Sequence, residues 1–343
     1  MKKFTIFGLC SLLLLSMAAC KKDTRDLSPI SNATNGKSAE QGKVENPPPD
    51  AGICLGQLTN YLFIFTDGSG DANWQGATKG FLGDVAVNGL AANERTSGGV
   101  PYAGNIFTNA STQGAWQNIL NQNNTQSAGL VNQTSRISGL ISDLNSAFGM
   151  INNLAVTPGF EAVTAASLNG LNTQNGAADI TVINITSGMQ VSSKINITGD
   201  AEDIFILRWD SDADAANGYQ GTPKFQSGGA IVPNGGLMAT NFINVAGDIS
   251  SSGGGSTPAS PYAQGARYDN GLGSLIINGG NFNGGGFFTG YWLTTGDPVT
   301  GETHSLSNAI FVGGWYTTSK KFSMTSGTSG VYLAAPTGMH CAD

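Results

Sequence analysis

The chain has 343 residues, with 16 Lys and Arg against 23 Asp and Glu, a net charge of -7, and 49 glycines. An acidic balance without clustered cations excludes the phosphate-neutralising chemistry of nucleic-acid binding. Charged residues make up only 11% of the chain, well under the ~25% of ordinary soluble domains, so its surface is polar but weakly charged.

Lys2 and Lys3 precede an apolar run from Leu9 to Met17 and the small residues that lead to Cys20. The run is shorter than the roughly 20 residues that span a bilayer, and its layout is that of an export signal. Its ending, Ser16-Met17-Ala18-Ala19-Cys20, resembles the lipobox of bacterial lipoproteins. That resemblance implies a signal peptide over 1–19, a lipid on Cys20 as the one membrane contact, and a flexible tether over 20–50 that ends in Pro47-Pro48-Pro49. A plain signal peptide with an incidental cysteine is the other reading. Lys21-Lys22-Asp23 is similar to the charged signals of Bacteroidota outer-membrane lipoproteins, so the expected location is the outer membrane, with either facing.

With Cys10 in the signal, Cys54 and Cys341 stand at the two ends of the remaining region, 51–343. In an oxidising compartment such a pair is expected to form a disulfide, which would make the region one unit. Two buried thiols are the alternative.

The first strand-like piece with a glycine corner is "GDVAVNG" at 83–89. Trp116, Ile119 and Leu120 suggest a short helix. From about 126 to 152, Ile137, Leu140, Ile141, Leu144, Phe148 and Ile151 recur at steps of three and four, which predicts one long amphipathic helix. After 155 the period becomes two. Ile183 and Ile185 alternate with Val182, Asn184 and Thr186, and Ile195 and Ile197 alternate with Asn196 and Thr198, with Gly188 and Gly199 as corners. "DIFILRW" (203–209) reads as a strand buried on both faces under the helix. Related pieces at 242–250 and 274–280 also close on Gly with Asp or Asn. Short strands with glycine corners and no intervening helices predict an all-β solenoid with one long helix packed along it. A β-sandwich with an inserted helix also fits the alternation.

The order of "LGQLTNYLFIFTDGS" (55–69), "GFLGDVAVNG" (80–89), the long helix, "ITGDAEDIFILRWDSD" (197–212), "GGFFTGYWLTTG" (285–296) and "NAIFVGGWYTTSKKFSMTSG" (308–327) resembles the ice-binding-like family with the domain of unknown function 3494. The resemblance covers roughly 55–330. It implies an irregular right-handed β-helix, triangular in section, with the helix alongside. Two departures stand out: the helix is polar rather than alanine-rich, and residues 250–272 insert a loop of Gly, Ser and Pro.

Catalytic chemistry finds no support in the sequence. His304 and His340 are in no metal-ligand spacing, and no G-x-S-x-G, G-x-x-x-x-G-K or G-x-G-x-x-G occurs. Asp210, Asp212 and Asp214 hold the first, third and fifth places of a calcium loop, but Ala215 and Gly221 stand where glycine and glutamate are required. A solvated acidic loop accounts for them equally well. The expectation is therefore a non-enzymatic protein with no cofactor and no resident metal.

The resemblance points to ice as the partner, bound by a flat, rigid, weakly charged face. No Thr-x-Thr ladder is present. The strand positions expected to face outward are Thr289, Thr294, Thr295, Thr317, Thr318, Ser323 and Thr325. The alternative is a surface adhesin or structural lipoprotein that binds an extracellular surface or glycan, with Tyr291, Trp292, Trp315 and Tyr316 stacking on sugar rings if exposed.

Overall fold

The structure, a computed structural model, describes residues 53, 55–66, 72–74, 81–82, 84–88, 102–103, 105–109, 129–209, 221–226, 229–248, 250–252, 287–296, 302–307, 310–319, 321–325 and 330–332. The chain divides into two compact units, Met1–Glu45 and Asn46–Asp343, and every described residue belongs to the second. Cys20, the expected signal and tether, the short helix at 116–120, the acidic loop at Asp210, Asp212 and Asp214, and the strand at 274–280 lie outside the described residues.

Alternating apolar residues build a triangular solenoid. Its first face carries β1 (Tyr61–Phe65), β4 (Asp84–Val87), β6 (Asn105–Thr108), β7 (Gly129–Asn132), β8 (Val163–Thr164), β10 (Ile180–Ser187), β13 (Ile204–Trp209), β16 (Phe242–Ala246) and the second halves of β18 (Phe287–Thr294) and β20 (Ile310–Thr317). The second face carries β3 (Phe81–Leu82), β5 (Tyr102–Ala103), β9 (Leu171–Asn172), β12 (Lys194–Gly199), β15 (Ala230–Gly235), β22 (Gly330–Tyr332) and the first halves of β18 and β20. The third is a six-stranded sheet of β2 (Ala72–Trp74), β11 (Gln190–Val191), β14 (Lys224–Gln226), β17 (Ser250–Ser252), β19 (Glu302–Ser307) and β21 (Lys321–Thr325). Every pairing among the described strands is parallel. This overturns the sandwich alternative, whose sheets are antiparallel.

The repeated Ile-Asn-Ile-Thr stretches take the facing their alternation predicts. Ile183 and Ile185 point into the solenoid core from the first face, and Val182 points out beneath the helix. Two corners on, past β11 of the third face, Ile195 and Ile197 enter the same core from the second face while Asn196 is exposed. Fully buried Trp209 and Trp292 stack at 5.9 Å, and Phe205 and Phe242 stack at 5.2 Å. Buried side chains of this kind contribute roughly 1.5–3 kcal/mol each.

Along the first face the strands run β8, β10, β13, β16, β18, β20, β1, β4, β6, β7. The chain therefore starts in the middle of the stack with β1 and builds to one end at β7. Helix α1 (Thr134–Asn152) then carries it back, and it builds from β8 at the far end until β20 meets β1. Residues some 250 positions apart thus pair, Phe63 with Trp315 and Phe65 with Thr317. The two cysteines of the expected Cys54–Cys341 bridge lie outside the described residues; among those residues, β1 and β20 are joined by strand pairing.

Helix α1 begins at Thr134, not near 126, because Gly129–Asn132 is strand β7, paired with β6. The β-branched Val131 favours an extended conformation, and Gly129 disfavours a helical turn. Ile137, Leu140, Leu144, Ala147 and Ile151 form its buried stripe, over Val182, Ile206, Ile243, Val245, Tyr291, Leu293 and Tyr316. Ile141 and Phe148 are only partly buried. The expected stripe missed Ala147, whose small side chain carries little hydropathic signal. Arg208, the one charge in the apolar run of β13, is 4% exposed and donates from Nη2 to the carbonyls of Ile151 and of Leu154, the latter at 2.7 Å. A cation here satisfies orphan carbonyls at the helix C-terminus and opposes the negative end of its dipole.

Tyr291 and Tyr316 stack at 6.0 Å under the helix. Tyr316 Oη donates to the Tyr61 carbonyl at 3.1 Å, whereas Tyr291 Oη is buried with no partner. Burial pushes both phenols above their ordinary value of 10.0. Above pH 10 the unfolded chain loses these protons first, so stability present below pH 10 falls as pH rises further. Tyr291→Phe removes an unsatisfied hydroxyl and is expected to leave stability at pH 7 unchanged or raise it by about 1 kcal/mol. It should also reduce the loss above pH 10, as urea midpoints would show; a loss of more than about 1 kcal/mol at pH 7 would contradict this.

The corners are polar and internally bonded. Asp203 is 1% exposed, and its carboxylate accepts from Thr173 Oγ1 at 2.7 Å, Asp200 N at 2.9 Å and Asp179 N at 3.0 Å. Gly188 turns with φ of 73°, as expected, but Gly199 does not. Gly199 is needed because a Cβ there would meet Asp203 Oδ2 at 2.6 Å and Thr173 Oγ1 at 2.9 Å. At the corner between the first and third faces, Asn109 Nδ2 donates to Asn88 Oδ1 at 2.7 Å and Asn88 Nδ2 to the Thr66 carbonyl at 2.8 Å.

Candidate ligand-binding face

Helix α1 covers the first face where β18 and β20 run, packing on Tyr291, Leu293 and Tyr316, so neither side of those strands is exposed there. Thr294, with 0% exposure, and Thr317, with 2%, therefore lie inside the solenoid, not on a surface. Thr294 Oγ1 accepts from Trp315 Nε1 at 2.9 Å, and Thr317 Oγ1 accepts from Ser319 N at 3.0 Å. Thr289, on the second-face half of β18, is also fully buried, and its hydroxyl donates to the Ile231 carbonyl at 2.7 Å. All three expected positions are corrected. Alternation gave a parity, but both parities are covered on the first face, and buried indoles and carbonyls supply the partners that let threonine occupy a core.

Thr295 and Thr318 follow these strands at the corner, Thr295 exposed and Thr318 half-buried. Ser323 and Thr325 lie on β21 of the third face. The seven expected residues are thus divided among core, corner and third face and do not form one site. Tyr291, Trp292, Trp315 and Tyr316 are at most 1% exposed, which removes them as a platform for sugar rings.

The third face has a regular pattern. On β14, Phe225 is fully buried in the solenoid core, and its neighbours Lys224 and Gln226 are half-exposed. Parallel register extends these columns across the sheet. Lys224 pairs with Ser250, Phe225 with Ser251 and Gln226 with Ser252, and Ser251 pairs with Leu306. Ser305 then pairs with Ser323, Leu306 with Met324 and Ser307 with Thr325. Finally Asn73 pairs with Ser323 and Trp74 with Met324. The columns flanking the buried one therefore hold Lys224, Ser250, Ser305, Ser323 and Asn73 on one side, and Gln226, Ser252, Ser307 and Thr325 on the other. The only sequence trace of this was the repetition of Ser-Leu-Ser at 305–307 in Ser-Met-Thr at 323–325. Among the described residues no group of three or more His, Cys, Asp or Glu side chains could hold a metal ion.

Fold and face together define a β-solenoid with one helix-covered face and a six-stranded face whose register aligns serine, threonine, asparagine and glutamine positions in two columns. No family model matches the chain, and no curated protein matches it. Among solved structures it is similar to the DUF3494 domain of an ice-binding protein from Shewanella frigidimarina, at 12% identity and a TM-score of 0.45, over 81% of this chain and 96% of that one. It is similar to an ice-binding protein from an Arctic yeast, at 12% identity and a TM-score of 0.46, over 84% and 98%. An ice-binding protein from an Antarctic biological consortium gives 14% identity and a TM-score of 0.43, over 89% and 100%.

Proposed function

We propose that this chain binds the surface of ice through the third face of its solenoid, without catalysing a reaction. The observation that carries the reading is the register of β14, β17, β19, β21 and β2, which puts serine, threonine, asparagine or glutamine at nearly every position flanking the buried column. Adjacent coils repeat at about 4.8 Å and alternate residues along a strand at about 6.7 Å. Apart from Lys224, these two columns are therefore a two-dimensional grid of weak hydrogen-bonding groups, with Glu302 and Lys321 paired nearer the start of their strands. Such a grid can hold a layer of ordered water without fixing it as strongly as charged groups would, and the parallel ladders keep it rigid, so little ordering entropy is lost on contact with a lattice. The resemblance of the sequence segments to the ice-binding-like family points the same way.

The test is substitution on the grid. Thr325→Tyr and Ser307→Tyr, singly and together, are expected to reduce incorporation into a slowly growing ice front at least tenfold, equivalent to about 1.4 kcal/mol of binding. Ser142→Tyr, on the exposed side of α1, should behave as wild type. Unchanged incorporation by folded Thr325→Tyr/Ser307→Tyr protein would sink the assignment of this face.

A further inference from the structure

The order of strands along the axis places an interface inside the solenoid that the chain closes only once residues 310–332 have been made. β1, β2 and β3 pair with β20, β21 and β22, one partner on each face of the triangle. Thr66 N and Oγ1 both donate to the Thr317 carbonyl, at 3.1 and 3.2 Å, across a separation of 251 residues. Phe63 and Trp315 meet edge to face at 5.8 Å, and Tyr316 Oη reaches the Tyr61 carbonyl. Until β20–β22 exist, the β1–β3 edge has no partner in its own chain, and the finished β20–β22 edge is equally open until β1–β3 docks. The covalent path between these two blocks of coils runs through α1 and the segment 153–162.

We propose that this seam exchanges between copies: the β20–β22 edge of one molecule accepts the β1–β3 edge of a second copy, giving a strand-exchanged dimer. The two edges match residue for residue in register, hydrogen bonding and ring packing, so a second copy supplies the same contacts as the chain's own N-terminal coils. Exchange of an identical element is a low-cost route to a dimer, and open parallel edges pair readily. Segment 153–162 is the hinge. It holds Pro158 and Gly159, and it is tethered by Thr157 N to the Val182 carbonyl at 3.0 Å, Val182 N to Thr157 Oγ1 at 2.9 Å, Asn184 N to the Phe160 carbonyl at 3.0 Å, and Arg208 on the Leu154 carbonyl. The seam also crosses the third face, where Asn73 of β2 pairs with Ser323 of β21. In the exchanged dimer each third face is built from two chains.

The competition is between the chain's own edge, at an effective concentration up to about millimolar, and free copies. The purified protein is unfolded in denaturant and refolded at about 1 µM and at about 0.5 mM, using an equal mixture of unlabelled and uniformly heavy-isotope chains. The expected result is monomer at the low concentration and a substantial dimer at the high one. Within the dimer, cross-links between peptides around β1 and peptides around β20 should join one light and one heavy peptide in about half of cases, as random exchange requires. Cross-links only between peptides of the same label would place the dimer contact elsewhere and overturn the proposal. So would a protein that refolds to monomer at both concentrations.

Discussion

Gly313→Val is expected to abolish the folded protein or lower its unfolding free energy by about 2–6 kcal/mol, the sum of backbone strain and overpacking. Strand β20 bends from the second face to the first at Gly313, with φ of 143°, and β18 bends beside it at Gly290, with φ of 91°. A side chain at Gly313 would be driven into the Gly290 carbonyl, and one at Gly290 would come within 2.7 Å of Phe242 Cβ. The obstacle in the first case is backbone of the neighbouring coil, held by its own ladder, so it cannot move aside as a flexible side chain would. Gly159, with φ of 90° but nothing within 4 Å of where a methyl group would stand, serves as the control: Gly159→Ala carries the strain alone and should cost about 1–2 kcal/mol. Urea denaturation followed by tryptophan fluorescence distinguishes them. Equal, small losses in both variants would show that the stacked glycine bend is not what shapes the corner.

Arg208→Met should cost about 3 kcal/mol, because it leaves the Ile151 and Leu154 carbonyls without their charged donor. The hydrocarbon stem is retained, so the loss reports the guanidinium and not the packing. Arg208→Lys should recover only part of it, since a lysine side chain ends one bond short of the Nη2 position from which both carbonyls are reached. The accompanying sign is faster amide exchange in the last turn of α1, with exchange in β12 and β15 unchanged. A loss below about 0.5 kcal/mol for Arg208→Met would mean that the helix is held by its apolar stripe alone.

How much of this was legible in the sequence depended on whether a strand had one covered side or two. At 180–199 the alternation gave the facing correctly, because the second-face strand has a solvent side that Asn196 and Thr198 mark. At 287–317 it failed. Those strands pass through a glycine bend and then run beneath α1, so polar residues there mark internal hydrogen bonds: Thr294 for the Trp315 indole, and Asn244 for the Trp209 indole at 3.0 Å. Arg208 is the one charge in the apolar run of β13, and the carbonyls at the helix end account for it. The helix itself was visible from its period, but its start was misplaced because β7 adds Leu130 and Val131 to the apolar count just before it. The grid on the third face was almost silent: its rows come from strands 18 to 250 residues apart, and only register brings Ser252, Ser307 and Thr325 side by side.

Thermal hysteresis of the purified protein, recorded together with the shape of a single ice crystal held in the gap, tests the central claim most directly. A gap between melting and growth temperatures with a faceted crystal is the predicted result, reduced in Thr325→Tyr and retained in Ser142→Tyr. A round crystal and no gap from protein with native circular dichroism would contradict the account.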